Sequence, residues 1–233
     1  MKDFELMLAP MEDHTNSEFR ELCYKKGADS TFTEMARTSA LARGNKSTLE
    51  KIKIPNPIPT YIQIIGANEE ELEKFLQSFK PSKGFLGFNL NLGCPSLNMV
   101  QKGLGCALIK RVTKVKKIVQ IIKNHGYSVS IKLRLGANQF EKEKKSYLNL
   151  IREVDADFFI VHAKHGKEHS MSPADFNVYK ECVDTNKIII ANGDITKPEQ
   201  IDYLKSIGVK GAMIGRAAID DPAIFNKLKQ VKN

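Results

Sequence analysis

Short apolar runs rich in β-branched residues alternate with longer amphipathic segments along the whole chain. Runs such as FFIV at 158–161 and IIIA at 188–191 do not alternate between polar and apolar residues. This is typical of parallel strands that are buried on both faces. The pattern predicts eight strands, at 5–11, 29–34, 60–65, 85–91, 128–134, 157–162, 187–192 and 211–215.

The segments between these runs carry signals for the start of a helix. Three pairs have the spacing of a capping box, and two prolines stand where a first helical turn tolerates proline: Thr15 with Glu18, Ser172 with Asp175, Thr196 with Glu199, and Pro173 and Pro222. Eight strand-helix repeats are what a (β/α)8 TIM barrel requires, whereas an open doubly wound sheet seldom needs so many. The sequence therefore predicts an α/β protein, a TIM barrel in one domain over residues 1–233.

Charge and cysteine content narrow the class of protein. The 36 Lys and Arg residues exceed the 27 Asp and Glu residues, which gives a net charge of +9. This favours polyanionic partners such as nucleic acid, although solvated surface lysines alone would give the same excess. Scattered cysteines without C-x-x-C spacing suggest neither a disulfide framework nor a metal site, and they fit a reducing cytoplasm: Cys23, Cys94, Cys106 and Cys182.

The chain has no sequence signal for a membrane segment. Its first ten residues are too acidic, and their apolar run too short, for a signal sequence. Nowhere do about 18 apolar residues follow one another without interruption. We expect no membrane span and a cytoplasmic location.

Polar residues stand at the end of nearly every predicted strand. The carboxyl ends of barrel strands and the loops after them build the active site. A lone Gln or Asn at the end of a strand usually forms hydrogen bonds to a loop. Polar residues at the ends of nearly all strands instead favour a functional site. Its members are Pro10, Met11, Glu34, Gln63, Asn91, Lys132, Arg134, His162, Asn192, Asp194, Gly215 and Arg216.

Two of these ends have the features of a phosphate cradle. Asn192, Gly193 and Asp194 close the seventh predicted strand, and Gly215 with Arg216 closes the eighth. Glycine allows close approach to the backbone, its N–H groups can face an anion, and the arginine adds charge. The alternative is an ordinary tight turn with a surface arginine.

Other strand ends suit a planar heteroaromatic ring. Lys132, between Ile131 and Leu133 that must face the helices, can stabilise negative charge on such a ring, for example a reduced flavin. The amides of Gln63 and Asn91 can bind the ring edge. His162 can donate to a cofactor or its phosphate, or it can simply bridge neighbouring strands.

Cys94 differs from the other cysteines because Gly93 and Pro95 hold it at the predicted barrel mouth. Buried cysteine is usually a small hydrophobic residue, and this explains Cys23, Cys106 and Cys182. A thiol of ordinary acidity is mostly protonated at neutral pH, so it can act as a proton donor or as a nucleophile. Position alone does not decide between these roles.

An ordered series of motifs resembles the tRNA-dihydrouridine synthases. It runs from residue 9 to about 225 and comprises APM at 9–11, TEM at 33–35, QIIG at 63–66, NLGCP at 91–95, KGLG at 102–105, KLRLG at 132–136, VH at 161–162, PAD at 173–175, NGDI at 192–195 and IGR at 214–216. An ordered series is far more specific than a single motif.

The resemblance implies an FMN enzyme that reduces the C5=C6 bond of uridine in tRNA, with NADPH as reductant. By this likeness Cys94 protonates C5, and Asn91 touches the flavin or the uracil edge. Pro10, Met11, Gln63, Lys132 and His162 belong with the flavin. The 192–194 and 215–216 segments hold the ribityl chain and phosphate.

RNA binding would also need cations at the mouth, for which Lys102, Arg134, Lys164 and Lys167 are candidates. Lys164 stands where the family commonly has arginine, and Phe176 where tryptophan is usual. Family members usually continue with a helical C-terminal domain that embraces tRNA. We expect that domain to be absent from this chain, which ends at Asn233, and a separate RNA-binding protein is a possible helper.

Two other functions are open at this stage. One is a related FMN barrel that acts on a small pyrimidine or an enone, or on an RNA other than tRNA. The other is a flavin-free RNA-binding or scaffold protein, which the presence of both Cys94 and Lys132 disfavours.

Overall fold

Nine parallel strands form the sheet of the computed structural model, which describes residues 3–169 and 171–229. The strands are β1 (Glu5–Leu8), β2 (Thr31–Phe32), β3 (Ala36–Arg37), β4 (Thr60–Ile65), β5 (Phe85–Leu92), β6 (Val129–Arg134), β7 (Phe159–His162), β8 (Ile189–Asn192) and β9 (Gly211–Ile214). All eight predicted strands are present. The additional β3 pairs with β4 beside β2.

The sheet closes into a barrel. Its order is β1-β9-β8-β7-β6-β5-β4-β2, and every pairing is parallel. An isolated bridge between Met7 and Ser30 joins β1 to the chain just before β2, and the amide of Leu8 donates to the carbonyl of Ser30 at 3.0 Å. The predicted TIM barrel is confirmed.

Helices follow the strands around the outside of the barrel. They are α1 (Ser17–Lys25), α2 (Thr38–Ala42), α3 (Lys46–Lys51), α4 (Glu69–Ser78), α5 (Leu97–Gln101), α6 (Val112–Asn124), α7 (Gln139–Glu143), α8 (Ser146–Glu153), α9 (Val178–Val183), α10 (Pro198–Ser206), α11 (Arg216–Asp220) and α12 (Ile224–Lys229), with a 3-10 helix at Gly105–Leu108. No helix within the described ranges is both long and apolar enough to span a bilayer.

The predicted capping boxes are wrong in detail. Asn16 caps α1, since its Oδ1 accepts from the amide of Phe19, while the Thr15 hydroxyl bonds to the backbone of Met11. No helix begins at Ser172 or Pro173, because the chain stays irregular until α9. At α10, Gln200 rather than Glu199 accepts from the amides of residues 196 and 197.

The two faces of the closed sheet pack into separate apolar clusters. A large outer cluster contains Ile131 and Leu133 together with the buried faces of the helices. A small inner cluster fills one end of the barrel; its members are Met7, Ala9, Phe32, Tyr61, Phe158, Ile160, Ile190 and Met213. Because successive strand residues face opposite sides, the residues that follow these inner members by two also point into the barrel.

Candidate active site

A polar layer follows the inner apolar cluster toward the carboxyl ends of the strands. Gln63, His162 and Asn192 each stand two residues after an inner-cluster member. The parallel register places polar residues side by side on adjacent strands: Gln63 opposite Asn89, Asn91 opposite Lys132, Arg134 opposite His162, and His162 opposite Asn192. Residues distant in sequence thus meet at one rim of the barrel.

A cavity of about 330 Å³ opens above this layer. Its lining contains most of the predicted cofactor residues, namely Pro10, Met11, Lys132, His162, Asn192, Gly193, Asp194, Gly215 and Arg216, together with Ala9, Arg134 and Lys164. A neighbouring cavity of about 490 Å³ shares the 192–194 and 215–216 segments with it. These sizes lie in the range of small-molecule sites.

The electrostatics of the cavity are dominated by cations. Burial, with repulsion from Arg134 adding to it, lowers the pKa of the Lys132 ammonium to about 7. Within residues 3–169 and 171–229, the Lys132 ammonium makes no hydrogen bond and no ion pair. Burial first, and then the positive neighbours, lower the pKa of His162 to about 2, so its imidazole is neutral at physiological pH.

One carboxylate in the cavity lining receives two cations. Asp194 has φ +50°, and its carboxylate lies 2.8 Å from Lys164 Nζ and 2.6 Å from Arg216 Nη2. Burial opposes ionisation, but these cations and the Ala174 amide outweigh it, so the pKa of Asp194 is lowered. Arg216, predicted to hold a phosphate, is therefore held at the cavity by an acidic neighbour.

The structure places Lys164, a predicted RNA-binding cation at the barrel mouth, in a buried position. Only 1% of this residue is exposed, because its ammonium turns inward onto Asp194. It lines the cavity instead of the outer surface, so it is not available to grip RNA from outside. The other predicted RNA cations are placed differently: Lys102 and Lys167 are exposed, and half-buried Arg134 donates to the carbonyl of His165 at 3.0 Å.

Asn91 organises the loop that carries Cys94. Its Oδ1 accepts from the amides of Gly93 at 3.0 Å and Cys94 at 2.9 Å, while its Nδ2 donates to Gln63 Oε1 at 2.8 Å. The Cys106 amide in turn donates to the Cys94 carbonyl at 3.1 Å. Cys94 is half-buried, whereas the other three cysteines are buried, and all four are free thiols.

The structure separates some predicted residues from the cavity lining. Gln63, Asn91 and Cys94 lie beside the 330 Å³ cavity rather than among its lining residues, and the Asn192 amide is engaged with the Met213 carbonyl at 2.8 Å. Lys102 lines a different cavity of about 660 Å³, together with Arg37 and Arg111.

A sequence model of the dihydrouridine synthase family matches residues 7–233. The chain belongs to the dihydrouridine synthase family. Its likeness to that family in the ordered motifs is thereby confirmed, and the family is one of oxidoreductases.

Named relatives match most of the chain. The tRNA-dihydrouridine synthase B of Pseudomonas putida is 28% identical over 228 residues, which are 96% of this chain and 67% of that protein. A probable tRNA-dihydrouridine synthase of Staphylococcus aureus is 31% identical over 233 residues, covering 95% of this chain and 70% of the relative. The solved structure of DHODH in complex with ferulenol from Eimeria tenella shares the fold, with a TM-score of 0.63 at 12% identity over 97% of this chain and 79% of that one.

Sequence reasoning missed two polar residues in this member of the family. Asn89 and Ser130 are fully buried, and they lie two residues before Asn91 and Lys132 on β5 and β6. The signal was present, because strand alternation puts each of them on the same inward face as its better-recognised neighbour. They are connected to the Cys94 loop through the hydrogen bonds of Gln63 and Asn91.

Proposed function

We propose that this chain reduces the C5=C6 bond of uridine in tRNA to 5,6-dihydrouridine, with FMN as its bound flavin and NADPH as reductant. Membership of the dihydrouridine synthase family supports the reaction, and the names of the relatives support the tRNA substrate. The observation that carries the flavin assignment is the half-buried Lys132 ammonium, which faces a cavity and has no anionic partner within the described part of the chain.

The residues present fit a flavin mononucleotide. Burying a cation without an anion is unfavourable, so a ligand that brings negative charge to Lys132 stabilises both partners. Gln63, Asn91 and neutral His162 add hydrogen-bonding groups around the same rim. When bound, FMN supplies the hydride that reaches C6 of the uracil.

We assign the phosphate of the cofactor to the loops after β8 and β9. Gly193 and Gly215 bring the backbone close to the cavity, and Arg216 lies beside them. Lys164 and Asp194 fix this region from below: the 2.8 Å ion pair orients Asp194, which in turn holds Arg216 at the rim. Pro10 and Met11 follow β1, the strand next to β9, and line the same cavity beside Gly215.

Cys94 is the proton donor in this proposal. Hydride addition at C6 develops negative charge toward C5 and O4 of the uracil, and a thiol placed at C5 quenches that charge without free hydronium. Asn91 holds the backbone of Cys94 through two amide hydrogen bonds, so the thiol is presented from an ordered loop. Asn91 therefore contributes to the reaction chiefly by fixing the acid.

The RNA has to present an unstacked uracil. A uridine inside folded RNA is inaccessible, and extruding it costs a few kcal/mol. Contacts from Lys102, Lys167 and Arg134 to RNA phosphates would offset this cost. Lys102 follows α5, directly after the Cys94 loop, which suits it to contact the strand next to the target nucleotide.

A spectrum and an RNA assay test the proposal. The purified protein, or the protein after addition of FMN, should absorb at about 450 nm as bound flavins do. Incubation with NADPH and tRNA from cells that lack this gene should yield dihydrouridine by mass spectrometry. Protein that takes up no FMN contradicts the cofactor assignment. A flavoprotein that reduces a free pyrimidine, an enone or another RNA but not tRNA contradicts the substrate assignment.

Replacement of the proposed acid should separate the two half-reactions. In Cys94→Ala, NADPH oxidation should persist, while dihydrouridine formation falls by roughly 10²- to 10⁴-fold, as expected for loss of a general acid. The matched control is Cys182→Ala, which removes a buried thiol on α9. An unchanged product rate in Cys94→Ala, or an equal loss in Cys182→Ala, would remove Cys94 from the mechanism.

A further inference from the structure

A chain of side-chain hydrogen bonds runs through the barrel interior from β6 to the Cys94 loop. Asn89 Nδ2 donates to Ser130 Oγ at 2.9 Å, and Gln63 Nε2 donates to Asn89 Oδ1 at 2.7 Å. Asn91 Nδ2 then donates to Gln63 Oε1 at 2.8 Å, and Asn91 Oδ1 accepts from the amides of the loop. Ser130, Asn89 and Gln63 are each at most 1% exposed.

The donors and acceptors of these hydrogen bonds follow one another in a single direction. The Ser130 hydroxyl donates to the Phe88 carbonyl at 3.4 Å, so its oxygen is left to accept from Asn89. Each amide then turns its oxygen toward the next amide donor, and the last oxygen faces the backbone of Gly93 and Cys94. A flip of any one amide would set donor against donor or acceptor against acceptor, which is costly in a buried site.

We infer that Asn89 and Ser130 are positioning residues for the Cys94 thiol and act through Gln63 and Asn91. The inference rests on the proposed function, in which Cys94 is the proton donor. Neither residue lines the cavity, and neither is exposed. Their effect is to fix which face the Asn91 amide presents to the loop, and thereby where the thiol stands relative to the uracil.

The size of the effect follows from geometry. A displacement of about 1 Å between reacting groups can lower a rate by roughly 10²-fold. Loss of this chain of hydrogen bonds should therefore reduce turnover rather than RNA binding, because the hydrogen bonds do not extend to the surface that would contact RNA. This predicts a lower kcat with little change in KM for tRNA.

Asn89→Leu and Asn89→Asp form the decisive pair. Leucine breaks both hydrogen bonds of Asn89. Aspartate keeps an acceptor for Gln63, and the rotatable Ser130 hydroxyl can turn to donate to its second oxygen. Thr60→Val is the matched control. Thr60 is buried on the same strand as Gln63, and its hydroxyl bonds to the hydroxyl of Thr31, which is not part of the hydrogen-bond chain.

Two measurements decide the inference. In flavin-free protein, the rate of Cys94 alkylation by iodoacetamide is followed by peptide mass spectrometry. In the holoenzyme, kcat per bound flavin and KM for tRNA are measured. Asn89→Leu should alkylate faster than wild type and lose roughly 10²-fold in kcat, with KM changed by less than about twofold. Asn89→Asp should restore both values, and Thr60→Val should match wild type.

The inference is wrong if Asn89→Leu has the alkylation rate and kcat of the wild type. It is also wrong if Asn89→Leu and Asn89→Asp have equal defects, or if Thr60→Val has a defect equal to that of Asn89→Leu. If Asn89→Leu does not fold, Ser130→Ala removes only the terminal acceptor and should shift both readouts in the same direction; no shift there is contrary evidence. A wild-type protein that makes no dihydrouridine refutes the proposed function, whereas the alkylation comparison still decides whether the chain positions Cys94.

Discussion

Lys132 is a cation that the fold holds in an unfavourable place. Its ammonium is half-buried, and burial, with repulsion from Arg134 adding to it, lowers its pKa to about 7. Hydrophobic packing of Ile131 and Leu133 on the other side of β6 dictates this orientation, because strand alternation turns residue 132 inward. The apolar residues of β6 therefore hold the Lys132 side chain inside the barrel, where its positive charge is unfavourable.

Replacement of Lys132 should stabilise the flavin-free protein in a pH-dependent way. The folded-state pKa lies below the ordinary 10.5, so the charged lysine destabilises the fold fully below about pH 7, and this penalty disappears as the pH rises toward 10.5. Lys132→Met should raise the Tm at pH 6 by about 2–8 °C, as roughly 1–2 kcal/mol would in a chain of this size.

Thermal denaturation between pH 6 and pH 10 measures this effect. The gain should shrink as the pH increases, and Lys210→Met, at an exposed lysine before β9, should show no such trend. A gain that grows with pH would mean that Lys132 is not the strained cation described here. The variant should also fail to retain flavin absorbance.

The direction of the Lys132 side chain could be predicted from the sequence, whereas that of Lys164 could not. Lys132 could be assigned from its own strand, because its apolar neighbours fix its direction. Lys164 could not, since the carboxylate that draws it inward belongs to Asp194, 30 residues further along the chain. A charged residue is usually exposed, and nothing local to Lys164 indicates the exception.

At the level of elements, apolar runs predict strands well and side-chain caps poorly. The third run, Thr60–Ile65, matches β4 because six consecutive buried residues leave no ambiguity. The two-residue β3 has no such run and was not predicted. Thr15 has the sequence features of a cap, but the adjacent Asn16 takes that role while the threonine hydroxyl stabilises the loop after β1. Neighbouring polar residues compete for the same amides, and only the folded geometry decides between them.

The loop after β8 depends on the absence of a side chain at Gly193. This residue has φ +126°, and a Cβ there would lie 3.1 Å from both Ala174 Cβ and His162 Cδ2. Gly193→Ala should lower stability by roughly 1–3 kcal/mol, which corresponds to a Tm loss of about 3–10 °C. It should also weaken flavin binding, because His162 would have to move.

Gly126→Ala is the control for backbone strain alone, since it has φ +78° but its Cβ would meet no atom within 4 Å. We expect a smaller Tm loss there and unchanged flavin affinity, measured by fluorescence titration. Equal losses of stability and of affinity in the two variants would show that the packing around His162 is unimportant.

At the scale of the whole molecule, the net charge of +9 predicts salt-sensitive RNA binding. Lys102 is exposed beside the Cys94 loop, whereas Lys210 is exposed at the opposite end of the barrel, before β9. In Lys102→Ala the slope of log K against log salt should fall by about 1, as for loss of one phosphate contact. Lys210→Ala should leave it unchanged.

Filter-binding or fluorescence titrations with tRNA at several salt concentrations measure these slopes. Equal slopes for Lys102→Ala and wild type would remove this lysine from the RNA contact surface. A reduced slope for Lys210→Ala would mean that the excess charge acts on RNA from all sides of the barrel.

The barrel and the rim that carries the site were predictable because both follow from the same periodic pattern of buried strands. The connections inside the site were not, because hydrogen bonds such as the one from Gln63 to Asn89 depend on which amide faces which neighbour. Register supplies that information, and the sequence contains no local signal for it.

The pairing of β9 with β1 has a consequence for how the protein is made. These strands lie about 200 residues apart along the chain, yet β9 must insert between β8 and β1 to complete the wall. During synthesis on the ribosome, the pocket therefore does not exist until the segment 211–216 has emerged. Because such distant pairing is slow, we expect cofactor capture to be among the last events in maturation.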